Sequence, residues 1–364
     1  MAAIAAYLLV AATLGLAGGS AAWSRLIAGV SALLFAVHPI QTQAVTYIVQ
    51  RMESLASLFY LVALIVFIKA CQAKSIRARL AFYAGVLAAY ILGFYAKEVV
   101  VTMPLVILLF DIWFFGNGRL RQALERWPLY VCLVVLFVFF TVSTVIPLAG
   151  FGDLSKESTE ISAPGVAPDL RRLAPLPGQP GSSLPARKDI AGVVDNGKLQ
   201  KAPVSKPSAS AGFNVIGISP KEYLYTQFNV IVYYITLLVV PVNQNLDYDF
   251  PVAKTFFSAP QTNEGAVLNI PIPAPAVSLS ILLVIAGAGV WLFLRSRKSL
   301  CPRSRVVSFF IFWFFIMLAP TSSVVPILDV IFEHRVYLAS LGFFVSVVIF
   351  IDWLSAKVFD GRQA

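Results

Sequence analysis

The sequence predicts an all-α protein, a polytopic transmembrane helical bundle, and three observations carry that prediction. Hydrophobic residues make up 59% of the chain against 13% charged, with a mean hydropathy of +0.81, a balance that soluble domains do not reach. The apolar residues gather into runs approaching the about 20 that a helix rising 1.5 Å per residue needs to cross a hydrocarbon core about 30 Å thick. Basic residues concentrate in the short connections between those runs, as expected where loop charge sets orientation. Segments of about ten alternating residues, the mark of a membrane β-barrel, are absent.

Nine runs are read as spans: Ala2–Ala17, Leu26–Val37, Leu55–Ala70, Leu80–Ala96, Val99–Phe115, Pro128–Ala149, Val277–Leu294, Val306–Ala319 and Val336–Trp353. Three basic loops fix their direction. Lys69, Lys74, Arg77 and Arg79 form the first, Arg119, Arg121 and Arg126 the second, and Arg295, Arg297, Lys298, Arg303 and Arg305 the third. Placed in the cytoplasm, these loops put His38-Pro39, Arg51 with Glu53, Lys97-Glu98 and Glu333-His334-Arg335 all on the outer side. A tenth run, Tyr223–Val240, cannot be a simple span without breaking the alternation, so it is expected to be re-entrant or interfacial, with both ends outside.

Four regions follow. Residues 1–150 hold the N-terminal helices with the His-Pro and Lys-Glu motifs. Residues 151–220 are an external loop of Pro, Ser and Gly with scattered basic residues, a composition too poor in apolar groups to offset ordering entropy and therefore expected to be disordered. Residues 221–275 hold the re-entrant or interfacial helix and the loop Asn245-Leu-Asp247-Tyr-Asp249. Residues 276–364 hold the C-terminal helices and the Glu-His-Arg motif. Counting the alternation backward puts Met1 outside with no basic leader before Ala2–Ala17, so an upstream helix and its external loop are expected to be missing.

Cys71, Cys132 and Cys301 have no paired spacing, which argues against a disulfide framework or a zinc site. The net charge of +10 is loop charge rather than a nucleic-acid footprint, so no nucleic-acid partner is expected. Membrane lipid is the expected surrounding.

An ionisable side chain at the bilayer centre costs about 2.5–3.5 kcal/mol, so charged clusters belong at a membrane face or in a wet cavity. Each cluster also has a structural reading. His38 before Pro39 can close a helix end. Arg51 and Glu53 can form an interfacial ion pair, and Lys97-Glu98 can anchor a helix at the interface. Asp247 and Asp249 can belong to a solvated loop. Glu333-His334-Arg335 exceeds what anchoring needs and points to function, whereas Asp111 reads as a structural hydrogen-bonding group.

Four blocks in order then carry a resemblance: Leu34-Phe-Ala-Val-His-Pro-Ile-Gln-Thr-Gln-Ala-Val-Thr-Tyr-Ile-Val-Gln-Arg-Met-Glu-Ser-Leu55, Ala96-Lys-Glu-Val-Val-Val-Thr-Met-Pro104, Pro241-Val-Asn-Gln-Asn-Leu-Asp-Tyr-Asp-Phe-Pro251 and Phe332-Glu-His-Arg-Val-Tyr-Leu338. The chain resembles membrane glycosyltransferases of the GT-C superfamily, and more narrowly bacterial relatives of the transmembrane-and-tetratricopeptide-repeat O-mannosyltransferases. The resemblance implies transfer of a sugar from a polyprenyl-phosphate donor to a hydroxyl of a protein or lipid acceptor, on the extracytoplasmic side of a bacterial cytoplasmic (inner) membrane. It makes Glu53, Glu98 and Glu333 candidate catalytic carboxylates, since such chemistry needs a proton acceptor. It makes Arg51, Lys97, His334 and Arg335 candidate partners of the leaving phosphate, with His38, Gln244, Asp247, Asp249 and Tyr337 completing the candidate substrate-binding set.

The acidic residue that this family usually carries in its first external loop has no counterpart before Glu53, and tetratricopeptide repeats are absent from the sequence. A partner supplying the missing helix or repeats is therefore expected. No cofactor is assigned, and a divalent cation is left open. Two other classes stand beside the enzyme: a non-catalytic relative that binds lipid-linked sugar or scaffolds an assembly, and a transporter of a lipid-linked substrate. The transporter would call for inverted repeats and polar groups at the bilayer midplane, which the sequence lacks.

Overall fold

Backbone amides that cannot reach water must bond within their own segment, so apolar runs of this length fold as helices. The computed structural model describes residues 1–116, 118–148, 218–242, 244–245, 248–261, 271–298, 301–327 and 329–359. Among these, every regular element is helical. The α-helices are α1 (Ala2–Leu16), α2 (Ala21–Val37), α3 (Thr42–Thr46), α4 (Arg51–Gln72), α5 (Ile76–Ala96), α6 (Met103–Phe110), α7 (Leu120–Ala123), α8 (Trp127–Leu148), α9 (Pro220–Val239), α10 (Pro275–Lys298), α11 (Pro302–Leu318) and α12 (Tyr337–Phe359). The external loop expected over 151–220 lies outside the described residues except for its last three.

Six stretches are long and apolar enough to cross a membrane: Arg51–Gln72, Ile76–Ala96, Glu98–Phe115, Leu120–Ser143, Pro275–Arg297 and Glu333–Val358. A seventh arises if Ala21–Val37 and Pro39–Thr46, bent by 56° at their junction, are taken together. The architecture is that of an integral membrane protein. The nine expected spans exceed this number because α1 and α11, with 15 and 17 residues, are shorter than a full crossing.

Local chemistry sets the breaks. Pro39 lacks an amide hydrogen and ends α2, and the chain turns through a short 3₁₀ segment, Pro39–Gln41, into α3. Ser75 caps α5, its hydroxyl accepting the Ala78 amide at 3.1 Å, and so closes the hairpin that packs α4 along α5. Glu98–Thr102 is another 3₁₀ turn, and the helix that follows ends in a π turn at Asp111–Phe115.

The core is aromatic. Trp313, Tyr60, Phe67, Phe110 and Phe309 are among its largest fully buried side chains. Tyr60 meets Trp313 edge-on at 5.6 Å, and Phe110 meets Phe309 at 5.3 Å. Helices α11 and α12 touch at Gly342, where a Cβ would lie 2.5 Å from the Phe310 carbonyl oxygen, so only glycine lets the backbones approach this closely. Asp111 is the structural acceptor it was expected to be: buried, it takes Arg126 at 2.8 Å and the Tyr130 hydroxyl at 2.6 Å.

Helix α9 is one unbroken helix started by a capping box between Ser219 and Glu222. Its polar groups turn toward one end of the bundle. The Tyr223 hydroxyl donates to the Thr321 carbonyl at 2.7 Å, Gln227 to Val330 at 2.9 Å and Tyr234 to Phe332 at 2.8 Å. Asn229 accepts from Ser278, in the first turn of α10, at 2.6 Å. The helix thus braces the connection from α11 to α12, and that connection delivers Glu333-His334-Arg335.

Candidate functional site

Two polar contacts join segments far apart in sequence. Glu53 stands in the first turn of α4, where the helix dipole favours an anion, and Lys97 stands just beyond the last turn of α5, where it favours a cation. Because Lys97 adopts an extended backbone at the end of its helix, its side chain reaches across the hairpin. Lys97 Nζ lies 2.6 Å from Glu53 Oε2, with the carboxylate side chain only 2% exposed. Gln50 adds a further acceptor at 3.4 Å.

The second contact joins the turn after Pro39 to the Glu-His-Arg motif. Gln43 Oε1 accepts the His334 backbone amide at 2.8 Å and lies 3.0 Å from the His334 ring Nδ1. Beside it, Gln41 Nε2 donates to Ser340 in the first turn of α12 at 2.8 Å. Lys97 and Arg335 lie close enough to His334 for their charges to act on it. Residues from the His-Pro, Arg-x-Glu, Lys-Glu and Glu-His-Arg blocks therefore meet at one end of the bundle.

Glu333 faces a different partner. Its Oε1 accepts the Tyr248 hydroxyl and the Asn245 backbone amide, the latter at 3.1 Å, and so ties the loop after α9 to the turn before α12. Burial, followed by the hydrogen bond to Glu333 and the nearby negative charge, pushes the Tyr248 phenol up from its ordinary range.

The remaining candidates divide. Arg335 packs over the Phe332 ring at 5.3 Å and donates to the Asp329 and Val330 carbonyls at 2.8 and 3.3 Å, so part of its guanidinium holds the turn leading into the motif. Arg51 is exposed and donates to the Val45 carbonyl at 3.3 Å, and the ion pair expected between Arg51 and Glu53 is replaced by the one with Lys97. Glu98 and Asp249 are exposed at the surface. His38 closes α2 through its backbone amide, which donates to the Leu34 carbonyl at 3.0 Å, while its Nδ1 accepts the Ile40 amide at 3.3 Å and caps the 3₁₀ segment that follows; its ring meets that of Phe344 at a tilt. Tyr337 is buried against Phe35. Gln244 keeps a buried Nε2 without a hydrogen-bond partner among the described residues. Asp247 lies outside the described residues.

Gln43, Gln50, Asn245 and Tyr248 enter the site without having been singled out as candidates. All four sit inside the blocks that carried the resemblance, but a neutral side chain gives no charge signal of its own. Among the described residues no group of three His, Cys, Asp or Glu side chains converges to hold a metal.

An apolar groove of about 290 Å³ opens between α9, α10, α11 and α12, lined among others by Ile235, Ile285, Phe310, Phe314, Phe343 and Phe350.

No family model matches the chain, and no solved structure matches it. Similarity to curated proteins is partial. Protein O-mannosyl-transferase tmtc2 of Xenopus laevis is 36% identical over 113 residues, covering 29% of this chain and 12% of that protein. Protein O-mannosyl-transferase TMTC2 of Mus musculus and that of Homo sapiens are each 36% identical over 93 residues, covering 25% of this chain and 11% of theirs. The chain thus spans about a tenth of the length of these relatives. All three come from vertebrates, and a bacterial setting finds no support among them. Over about a quarter of its own length, the chain is similar to the TMTC2 O-mannosyl-transferases.

Proposed function

We propose that the chain forms the membrane part of a glycosyltransferase, moving a sugar from a polyprenyl-phosphate donor to a hydroxyl acceptor on the extracytoplasmic face. One observation carries this reading: Glu53, Lys97, Gln43 and His334, drawn from separate segments, meet at one end of a helical bundle. Transfer needs a cation beside the leaving phosphate and a proton acceptor beside the hydroxyl, and that end of the bundle holds both types of group. The apolar groove offers the kind of surface that a polyprenyl chain would follow. The partial similarity to O-mannosyl-transferases supports the reaction class and favours mannose as the sugar to try first. Residence in a bacterial cytoplasmic membrane, and a partner supplying further helices or repeats, rest on the resemblance of the four blocks alone.

A second reading, binding of lipid-linked sugar without turnover, is favoured by the engagement of both buried carboxylates of the site, Glu53 by Lys97 and Glu333 by Tyr248. One experiment separates the two. The chain is reconstituted in nanodiscs with radiolabelled polyprenyl-phosphate mannose and hydroxyl acceptors, and both retained and transferred label are counted. Transfer that is lost in Lys97→Met establishes the first reading. Retention without transfer establishes the second, and neither retention nor transfer overturns both.

A further inference from the structure

The sequence contains two histidines, and their hydrogen bonds give them opposite tautomers. Gln43 Oε1 faces two nitrogens of His334, the backbone N at 2.8 Å and the ring Nδ1 at 3.0 Å. A backbone N–H can only donate, so the amide atom pointing at it has to be the oxygen, which settles the orientation of the Gln43 side chain. An oxygen that only accepts then requires a proton on Nδ1 as well. In the neutral ring the lone pair is left on Nε2. His38 is the reverse: its Nδ1 accepts the Ile40 amide at 3.3 Å, so its proton lies on Nε2.

His334 is held firmly in this state. It is 5% exposed, its ring lies 5.0 Å from that of Phe332, and among the described residues nothing donates a hydrogen bond to its Nε2. The charged groups around it are accounted for: Lys97 is paired with Glu53, Arg335 holds the Asp329 and Val330 carbonyls, and Glu333 takes Tyr248. Neither buried carboxylate is without a partner, whereas the imidazole offers an uncommitted acceptor nitrogen.

We propose that His334 Nε2 takes the proton of the hydroxyl substrate, and that Gln43 is the positioning residue that keeps this nitrogen unprotonated. The proposal rests on the glycosyl-transfer reading above. In the step, the hydroxyl oxygen bonds to the anomeric carbon while its proton passes to Nε2. The bond from the anomeric carbon to the phosphate oxygen breaks, and the polyprenyl phosphate leaves with that electron pair. The imidazolium afterwards returns its proton to water.

Two measurements test it on the full chain in nanodiscs. The first is ¹⁵N NMR of ring-labelled histidine, with His38→Asn used to assign the two rings. The expected spectrum shows one ring protonated at Nδ1, belonging to His334, and one protonated at Nε2. Gln43→Met mixes the His334 tautomers, and Gln43→Glu, which keeps an accepting oxygen, preserves them. A wild-type His334 protonated at Nε2, or a spectrum unchanged by Gln43→Met, overturns the tautomer assignment.

The second measurement is turnover of polyprenyl-phosphate mannose. A loss of about 100-fold or more is expected in His334→Phe and Gln43→Met, within the range of proton-transfer catalysis, with recovery in Gln43→Glu. Full turnover in His334→Phe overturns the proton step alone. No transfer by the wild-type chain overturns the glycosyl-transfer reading and the proton step with it, while the spectrum still decides the tautomer.

Discussion

Lys97 Nζ sits 2.6 Å from Glu53 Oε2, a buried ion pair between residues from opposite ends of the α4–α5 hairpin. Each charge also faces the helix terminus that suits it, so the hairpin stabilises the pair beyond their mutual attraction. Attraction between buried charges is offset by the cost of taking both out of water, and losing one partner is far worse than losing both.

Lys97→Met is expected to destabilise the protein by about 3–5 kcal/mol, because it leaves the buried Glu53 carboxylate uncompensated, and Glu53→Gln, which leaves the part-exposed Lys97, is expected to cost less. The double variant Glu53→Gln with Lys97→Met is expected to recover most of that loss. Denaturation midpoints of the two single variants and the double variant in detergent micelles check the cycle. Simple addition of the single effects would rule out a coupled pair.

Gly342→Ala is expected to cost about 1–3 kcal/mol through overpacking, since its Cβ would meet the Phe310 carbonyl oxygen at 2.5 Å and force α11 and α12 apart. Backbone atoms cannot swing aside as a side-chain tip can. Thermal unfolding measures the cost, and an unchanged midpoint would show that the two helices separate freely.

Tyr248→Phe removes the hydroxyl that Glu333 accepts, and a hydrogen bond to a charged group is worth about 1.5–3 kcal/mol. Faster amide exchange over residues 244–251 is the expected readout. The phenol also carries a pH signature. Its proton is held more tightly in the folded protein than in the unfolded chain. Its contribution is therefore fully present below the ordinary phenol range of about 10 and is lost as pH rises beyond it. Tyr248→Phe should flatten that alkaline loss of stability.

Ser219→Ala is expected to cost about 1 kcal/mol, the usual loss of an N-cap. The Ser219 backbone amide and then its hydroxyl hold the Glu222 carboxyl below its ordinary value. That contribution is present above the ordinary glutamate range of about 4.3 and is lost as pH falls below that range, through the lower value of the folded protein. An acid titration of stability comparing wild type with Glu222→Gln reads the difference, and parallel curves would show that the capping box carries no pH dependence.

The helical membrane class was legible in the sequence because it depends on a local property, the length and hydropathy of each run. Leu55–Ala70 and Leu80–Ala96 fall inside α4 and α5, and Pro39 marks the break after α2. The polar blocks were legible as well, since charges among apolar runs stand out individually. Their pairings were not. Arg51 is the nearest cation to Glu53 in sequence, yet Glu53 takes Lys97, because residues two apart on a helix point to different sides while the hairpin brings α5 across. Gln43 went unnoticed as a site residue because nothing in its own neighbourhood distinguishes it. Only the packing of α3 against the turn before α12 turns an ordinary amide into the partner of His334.

By itself the sequence determined that this is a helical membrane protein with charged blocks between its apolar runs, because hydropathy and turn chemistry act over a few residues at a time. The tertiary structure alone decided which charge meets which and which nitrogen of His334 bears the proton. Those outcomes depend on contacts between segments tens to hundreds of residues apart, and such contacts exist only once the helices have packed.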